Sequence, residues 1–286
     1  MGSVTGTTTP GGAMAESGVL ELRVLGPFEA AVHGQAVELG GPRLRGVLAR
    51  LVVARGRAVG VETLVAELWR GRPPADAQRT VRTYVSRLRA ALRRAGGPCA
   101  EDALVTRPPG YLLRADLTAL DALRFEGLAA SGRQALDAGL PQVAVQRLTA
   151  ALDVWRGDAF AEFDGHPGIA AEAARLERER LSAIEARLDA TLVLGLDARA
   201  AAELEGLVHA HPTRERLWGQ LMTALYRSGR QAEALAAFRA ARAVLVEDHG
   251  VEPSPRLAEI HRQVLRNDPA LDTVPASAAS FAGRGG

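Results

Sequence analysis

The first hydrophobic residues of the chain alternate with polar ones, and the period then changes from two to that of a helix. Alternation over a few residues predicts short strands, and His33-Gly34 is a turn between two of them. Pro42 then begins a helix whose apolar residues recur every three or four positions. The predicted strands are residues 20–25, 27–32 and 35–39, and the predicted helix is residues 42–54.

Two further helices and a hairpin complete this first region. Residues 61–69 predict a second helix, which stops at a turn rich in Gly and Pro. Asp76 is placed to begin a third helix, which continues to about residue 95. The hairpin is predicted at residues 104–107 and 110–113, with a short strand contact at residues 58–59.

From residue 117 onward the pattern is entirely helical, and part of it repeats every 34 residues. Ile184, Ala200, Leu204 and Leu207 correspond to Trp218, Ala234, Phe238 and Ala241. This spacing is the tetratricopeptide period, and these are the positions where the two helices of a repeat pack together. An earlier unit with the same internal spacing contains Leu128, Ala144, Leu148 and Ala151. A loop over residues 155–168 lies in the insert before the middle unit, and a last helix is expected at residues 256–267.

The third predicted helix combines an apolar face with an arginine-rich face. Val81, Val85, Leu88 and Leu92 share one side, and no Asp or Glu occurs between Asp76 and Glu101. A surface helix usually mixes charge signs, so a face of Arg, Thr and Ser alone indicates an anionic partner. Arginine bonds guanine bidentately, and Ser, Thr and further Arg hold phosphates, so the helix suits a major groove. The stripe by itself leaves a solvated surface helix as the alternative.

Composition adds a charge asymmetry and excludes several classes of site. Residues 1–116 carry sixteen Arg against ten Asp and Glu, whereas the remainder carries nineteen against twenty-three. A basic first half favours a nucleic-acid partner. The single cysteine, Cys99, forms neither an internal disulfide nor a thiolate metal site. Without an apolar run of about 18–20 residues or a secretory signal, we expect a cytoplasmic, nucleoid-associated protein with no membrane partner.

Several short motifs resemble one known family. Residues 81–89, Val-x-x-Tyr-Val-Ser-Arg-Leu-Arg, resemble the recognition helix of the OmpR/PhoB-type winged helix-turn-helix, and residues 106–111, Thr-Arg-Pro-Pro-Gly-Tyr, resemble its wing. Further motifs narrow the resemblance to one group within this fold. They are Leu25-Gly26-Pro27, residues 41–45, and two motifs within residues 211–218 and 225–235. Together they resemble the Streptomyces antibiotic regulatory protein (SARP) family, whose second half is called the bacterial transcriptional activator domain.

The resemblance implies a fold and a domain organisation. The fold class is an α+β winged helix-turn-helix domain followed by an all-α, tetratricopeptide-like domain. We predict a disordered segment at 1–18, the DNA-binding domain at 19–115, the activator domain at 116–268 and a disordered tail at 269–286. No lysine occurs in the chain, so a P-loop ATPase is excluded, and neither a receiver domain nor a ligand switch is expected.

The implied function is activation of transcription at antibiotic-biosynthesis promoters. It requires duplex promoter DNA, a second protomer on a direct repeat, and RNA polymerase holoenzyme through its sigma factor, alpha C-terminal domain and beta flap. The expected base contacts are Arg82, Thr83 and Arg87, and the expected phosphate contacts are Arg79, Thr80, Ser86, Arg89 and Arg93. Arg107 is expected to enter the minor groove, and Arg70, Arg72, Pro73 and Pro74 form the expected polymerase-contact loop.

Two alternatives from other classes stay open. The helical repeats are also compatible with a scaffold whose winged helix binds protein in place of DNA. An enzyme or metal site would have to use Asp158, Glu162, Asp164 and His166 in the 155–168 loop, or the His209-x-His211 pair. Loop carboxylates are more often solvated, and residues two apart on a helix point about 200° away from each other. We therefore expect no enzymatic activity, no cofactor and no metal.

Overall fold

The computed structural model describes residues 20–114 and 118–272 of the chain. They belong to two compact units, Met1–Asp121 with Ala159–Ala173, and Ala122–Asp158 with Ala174–Gly286. The predicted N-terminal disordered segment lies outside the described residues, as do residues 273–286 of the predicted tail. Residues 269–272, where that tail was expected to begin, form the short 3-10 helix Pro269–Leu271, and Leu271 is buried.

The first unit contains seven strands and three helices within its described residues. In chain order they are β1 (Leu20–Arg23), β2 (Glu29–Val32), β3 (Gln35–Ala36), α1 (Pro42–Val53), β4 (Val59–Gly60), α2 (Val61–Trp69), α3 (Ala77–Glu101), β5 (Leu104–Arg107), β6 (Gly110–Leu113) and β7 (Thr118–Leu120).

The first sheet has the order β3-β2-β1-β7. β1 and β2 pair antiparallel, with Leu20 opposite Val32, whereas β1 and β7 pair parallel, with Leu22 opposite Leu120. The prediction of an entirely helical pattern from residue 117 was therefore wrong for β7. A three-residue strand pairs with a partner almost 100 residues away, and local periodicity carries no signal for such a pairing. Asp121 extends the connection, because its carboxylate accepts the backbone N–H of Val24 at 2.9 Å.

The three helices pack their apolar faces as the sequence predicts. Val47, Leu48 and Leu51 of α1 are fully buried, and α3 contacts both α1 and α2. The regular part of α3 ends near residue 95, because Gly96 and Gly97 have non-helical dihedral angles. The second sheet, β4-β6-β5, contains the predicted hairpin, with Leu104 opposite Leu113.

The second unit consists of helix pairs. Its helices are α4 (Asp121–Asp137), α5 (Pro141–Leu152), α6 (Pro167–Val193), α7 (Asp197–Ala210), α8 (Glu215–Arg227), α9 (Gln231–Ala243) and α10 (Pro255–Arg266), with a π-helical turn at Val244–Asp248. The first residues of α6, 167–173, belong to the first unit.

The 34-residue spacing corresponds to equivalent positions in successive helix pairs. Ala200 of α7 and Ala234 of α9 are both fully buried, and α8 packs against α7, α9 and α10. Trp218 is 5% exposed and its indole N–H donates to the Pro212 carbonyl at 2.9 Å. No helix in the described ranges is long and apolar enough to cross a membrane.

Candidate nucleic-acid interface

Helix α3 buries one face and exposes the other. Val81, Val85, Leu88 and Leu92 are at most 1% exposed, so the predicted apolar face is the packed face. Arg79, Arg82, Thr83, Ser86 and Arg87 are all exposed. The helix therefore has a rigid, anchored backbone beneath its polar face, which is what direct readout of a groove requires.

The exposed arginines of this region fall into two groups. The guanidinium groups of five arginines have neither an ion pair nor a hydrogen bond among the residues that the structure describes: Arg79, Arg82, Arg87, Arg94 and Arg107. Elsewhere in the protein, arginines such as Arg214 and Arg242 are paired with carboxylates. An unpaired guanidinium keeps five N–H donors available for phosphate or guanine. The unpaired group therefore matches the requirement for an anionic partner.

Arg89 and Arg93, predicted to contact phosphates, already have partners within the protein. Arg89 is half-buried, and its Nε donates to the Leu104 carbonyl at 2.9 Å while its Nη2 donates to Thr106 Oγ1 at 2.8 Å. Arg93 pairs with Glu101. Arg89 thus joins α3 to the hairpin, and any phosphate contact from it must use its remaining N–H groups.

The hydroxyl side chains of α3 are also placed for contact. Thr80 and Thr83 donate to the carbonyl oxygens of Asp76 and Arg79, at 3.2 and 3.1 Å, in the i−4 pattern of helical threonines. Their oxygens keep acceptor capacity. Ser86 is exposed and has no hydrogen-bond partner within the described ranges, so its hydroxyl can donate to a phosphate.

The hairpin holds Arg107 next to its turn. Arg107 ends β5 opposite Gly110 in β6 and is exposed. β6 also pairs with β4, with Val59 opposite Tyr111. A Cβ atom at position 110 would overlap the Val59 carbonyl, so only glycine permits this close approach. The hairpin is thus fixed to the end of the strand that precedes α2.

The turn between α2 and α3 is exposed and partly ordered by backbone bonds. Arg70 ends α2 in the left-handed region, with φ of 49°, and the Arg72 N–H donates to the Trp69 carbonyl at 2.9 Å. The Ala77 N–H donates to the Pro74 carbonyl at 3.1 Å. Arg70, Arg72, Pro73 and Pro74 are all exposed, as a contact loop for a partner protein requires.

Sequence reasoning missed the aromatic contact beside this turn. Trp69 stacks on Tyr84 with ring centroids 6.4 Å apart, and the Arg43 guanidinium lies 5.5 Å from the Trp69 ring. The contact fixes the end of α2 against α3. The position of Tyr84, at the edge of the apolar face of α3, indicated that its ring packs against a neighbouring element. Sequence spacing could not identify Trp69 as its partner.

Glu162, one member of the competing acidic cluster, has a structural role in the first unit. Glu162 accepts hydrogen bonds from the Arg45 guanidinium and from the Phe28 N–H, the latter at 3.2 Å. The hydrogen bond that Arg45 donates to Glu162 raises the pKa of the Arg45 guanidinium above its ordinary value. His209 and His211 lie at the end of α7, where His209 Nδ1 contacts the Glu205 carbonyl. Within the described ranges, no three His, Cys, Asp or Glu side chains form a cluster suited to a metal.

Comparison with known proteins gives the same two-part organisation. Residues 120–265 match the model of the bacterial transcriptional activator domain, and residues 34–113 match that of the C-terminal domain of transcriptional regulatory proteins. The chain is 40% identical to the regulatory protein DnrI of Streptomyces peucetius, over 91% of this chain and 98% of DnrI. The chain belongs to the SARP family.

Two longer relatives extend the comparison of this SARP. The regulatory protein AfsR of Streptomyces coelicolor is 41% identical over 93% of this chain, which covers only 26% of AfsR. The structure of Mycobacterium tuberculosis EmbR in complex with a low-affinity phosphopeptide has a TM-score of 0.84 and 36% identity, over 92% of this SARP and 69% of EmbR. These relatives are named regulators, so this SARP is a transcriptional regulator and not an enzyme.

Proposed function

We propose that this SARP is a sequence-specific DNA-binding activator of antibiotic-biosynthesis promoters. The observation that carries the proposal is the exposed face of α3, where the guanidinium groups of Arg79, Arg82 and Arg87 have no partner among the described residues. In this proposal Arg82, Thr83 and Arg87 contact base edges, while Arg79, Thr80 and Ser86 hold phosphates. Arg89 and Arg93 contribute further phosphate contacts through donors that their internal partners leave free.

The hairpin gives the proposal a second contact with DNA. Arg107 lies at the end of β5, beside the hairpin turn, and its exposed guanidinium has no partner in the described part of the chain. Guanidinium groups favour the negative potential of a narrow minor groove. We propose that Arg107 enters the minor groove next to the major groove that α3 occupies.

One DNA-binding domain makes few base contacts, so the proposal includes two protomers on a direct repeat. Repeats about 10–11 bp apart place both copies on the same face of the duplex. The division into a DNA-binding domain at 19–115 and an activator domain at 116–268 belongs to the same proposal.

Recruitment of RNA polymerase holoenzyme is assigned to the turn between α2 and α3. Arg70, Arg72, Pro73 and Pro74 are exposed, and the side chains of Arg70 and Arg72 have no ion pair or hydrogen bond among the described residues. They are free to meet acidic surfaces of the sigma factor, the alpha C-terminal domain or the beta flap. Membership of the Streptomyces antibiotic regulatory protein family supports an antibiotic pathway as the target.

Footprinting on the DNA that flanks the gene, followed by transcription in vitro with holoenzyme, tests the proposal. We expect protection of two adjacent repeats and a protein-dependent rise in transcript. Absence of binding to every duplex at low ionic strength would contradict it and would favour the protein-binding scaffold.

A further inference from the structure

Residues 159–173 run from the loop that follows α5 through the first two turns of α6, yet they fold as part of the first unit. Ala159 forms an antiparallel bridge with Leu25, and the Phe160 N–H donates to the Val24 carbonyl at 2.8 Å. We call these residues the docking segment. More than 100 residues separate Leu25 from Ala159 in the sequence, so the docking segment joins the first unit through long-range contacts.

Apolar and ionic contacts fix the docking segment at both ends. Phe163 is 2% exposed and packs edge-on against Phe28, with ring centroids 5.4 Å apart. Glu162 pairs with Arg45, as described above. Near the start of α6, Glu67 of α2 accepts the Gly168 N–H at 2.8 Å and pairs with Arg50 at 2.7 Å. These contacts determine where Gly165, between the two anchors, lies.

Gly165 lies directly against the side chain of Arg70. A Cβ atom built at position 165 would overlap the Arg70 guanidinium and lie only 2.7 Å from its Nε. The guanidinium plane therefore packs on the backbone of Gly165, where no other residue leaves room for it. Arg70 has no ion pair or hydrogen bond among the described residues, so packing alone restrains its donors.

We propose that Gly165 is a positioning residue for Arg70, and that the docking segment presents the Arg70 guanidinium in a fixed place to a carboxylate of RNA polymerase. The inference rests on the proposed role of the α2–α3 turn. A long exposed arginine normally loses rotamer freedom when it binds, and a guanidinium already packed on Gly165 loses less. The docking segment thereby ties the activation contact to residues that follow α5.

Gly165→Ala is a selective test, because its methyl group meets the far end of a flexible side chain and not the backbone. We expect Gly165→Ala to keep the thermal midpoint and the affinity for promoter DNA, and to lower activated transcription in vitro by about tenfold. Arg70→Ala should give the same loss. The double variant should be no worse than Arg70→Ala alone, because the methyl group acts only through Arg70.

Gly127→Ala in α4 is the matched control, since a Cβ atom there meets nothing within 4 Å. It should leave transcription unchanged. A second readout, the 15N relaxation of Arg70 Nε in the full chain, measures positioning without polymerase. We expect Gly165→Ala to make this group more mobile.

The outcomes separate the inference from the proposed function. Full transcription with Arg70→Ala would refute the polymerase contact at Arg70 and, with it, the role of Gly165 in activation. A loss with Arg70→Ala but none with Gly165→Ala would keep the contact and overturn the positioning role. Unchanged mobility of Arg70 Nε in Gly165→Ala would overturn it as well, whatever the transcription assay shows.

Discussion

Arg89 in α3 donates to Thr106 Oγ1 in β5 at 2.8 Å, and its Nε donates to the neighbouring Leu104 carbonyl at 2.9 Å. One side chain thus joins the helix assigned to the major groove with the hairpin assigned to the minor groove. The two elements are assigned to adjacent grooves, so their relative position must match the spacing of those grooves. Arg89 therefore sets their spacing before DNA binds, and this gives it a role beyond a phosphate contact.

Arg89→Ala should destabilise the protein slightly and uncouple the hairpin from α3. Loss of two partly exposed hydrogen bonds costs about 1 kcal/mol, or roughly 2–4 °C in thermal midpoint. We would measure the DNA affinities of Arg89→Ala, of Arg107→Ala and of the double variant, which together form a double-mutant cycle. We expect a coupling of about 0.5–1 kcal/mol, because Arg107 contributes less when its hairpin is not held.

Arg94→Ala is the control for this cycle. Arg94 is exposed on the same helix and has no internal partner within the described ranges. Its coupling to Arg107 should be close to zero. Additive effects of Arg89→Ala and Arg107→Ala would show that the hydrogen bonds between α3 and β5 do not position the hairpin.

Arg87→Ala should reduce discrimination between the operator and other DNA. An arginine bonded bidentately to guanine contributes about 1–3 kcal/mol of preference for the correct base. Fluorescence anisotropy with the operator and with a scrambled duplex, at one salt concentration, measures the ratio. Arg147→Ala removes an equal charge from an exposed site in α5 and should leave the ratio unchanged. If Arg87→Ala binds the operator as tightly as the wild type, Arg87 does not contact a base.

Arg79→Ala should weaken binding to all duplexes alike and change its dependence on salt. Each phosphate that the protein neutralises contributes about −0.9 to the slope of log K against log salt concentration. The variant should therefore have a slope smaller in magnitude by about one, on operator and scrambled DNA. Titrations at four or more salt concentrations measure it. A slope equal to that of the wild type would show that Arg79 contacts no phosphate.

Local patterns predicted most of the elements and the face of α3 that carries the candidate site. The period of Val81, Val85, Leu88 and Leu92 is a local property, and the structure buries all four. The same holds for the 34-residue spacing of Ala200 and Ala234, which recurs in α7 and α9. Such signals survive without knowledge of the rest of the chain.

The features that the sequence did not predict are long-range pairings. β7 pairs with β1, and the docking segment packs on Phe28 and Arg45 from more than 100 residues away. Phe160, Phe163 and Gly165 occur in a loop-like composition that has no period. The residues that they contact are brought near them only by folding of the first unit. The sequence therefore contains no indication that Gly165 lies against Arg70.

The stability of the second unit should depend on His261. Its ring stacks on Phe238 with centroids 3.9 Å apart and planes 5° from parallel. Burial, and then the charge of Arg239, lower the pKa of His261 from 6.5. The unfolded chain therefore takes up the proton first, so stability that is present above about pH 6.5 is lost progressively below that value, until the folded protein is protonated as well. His261→Phe keeps a ring that can stack but cannot be protonated. Between about pH 7.5 and about pH 5.5, its thermal midpoint should therefore fall less than that of the wild type. The exposed His249→Phe should retain the slope, and an unchanged slope in His261→Phe would assign the pH dependence to other groups.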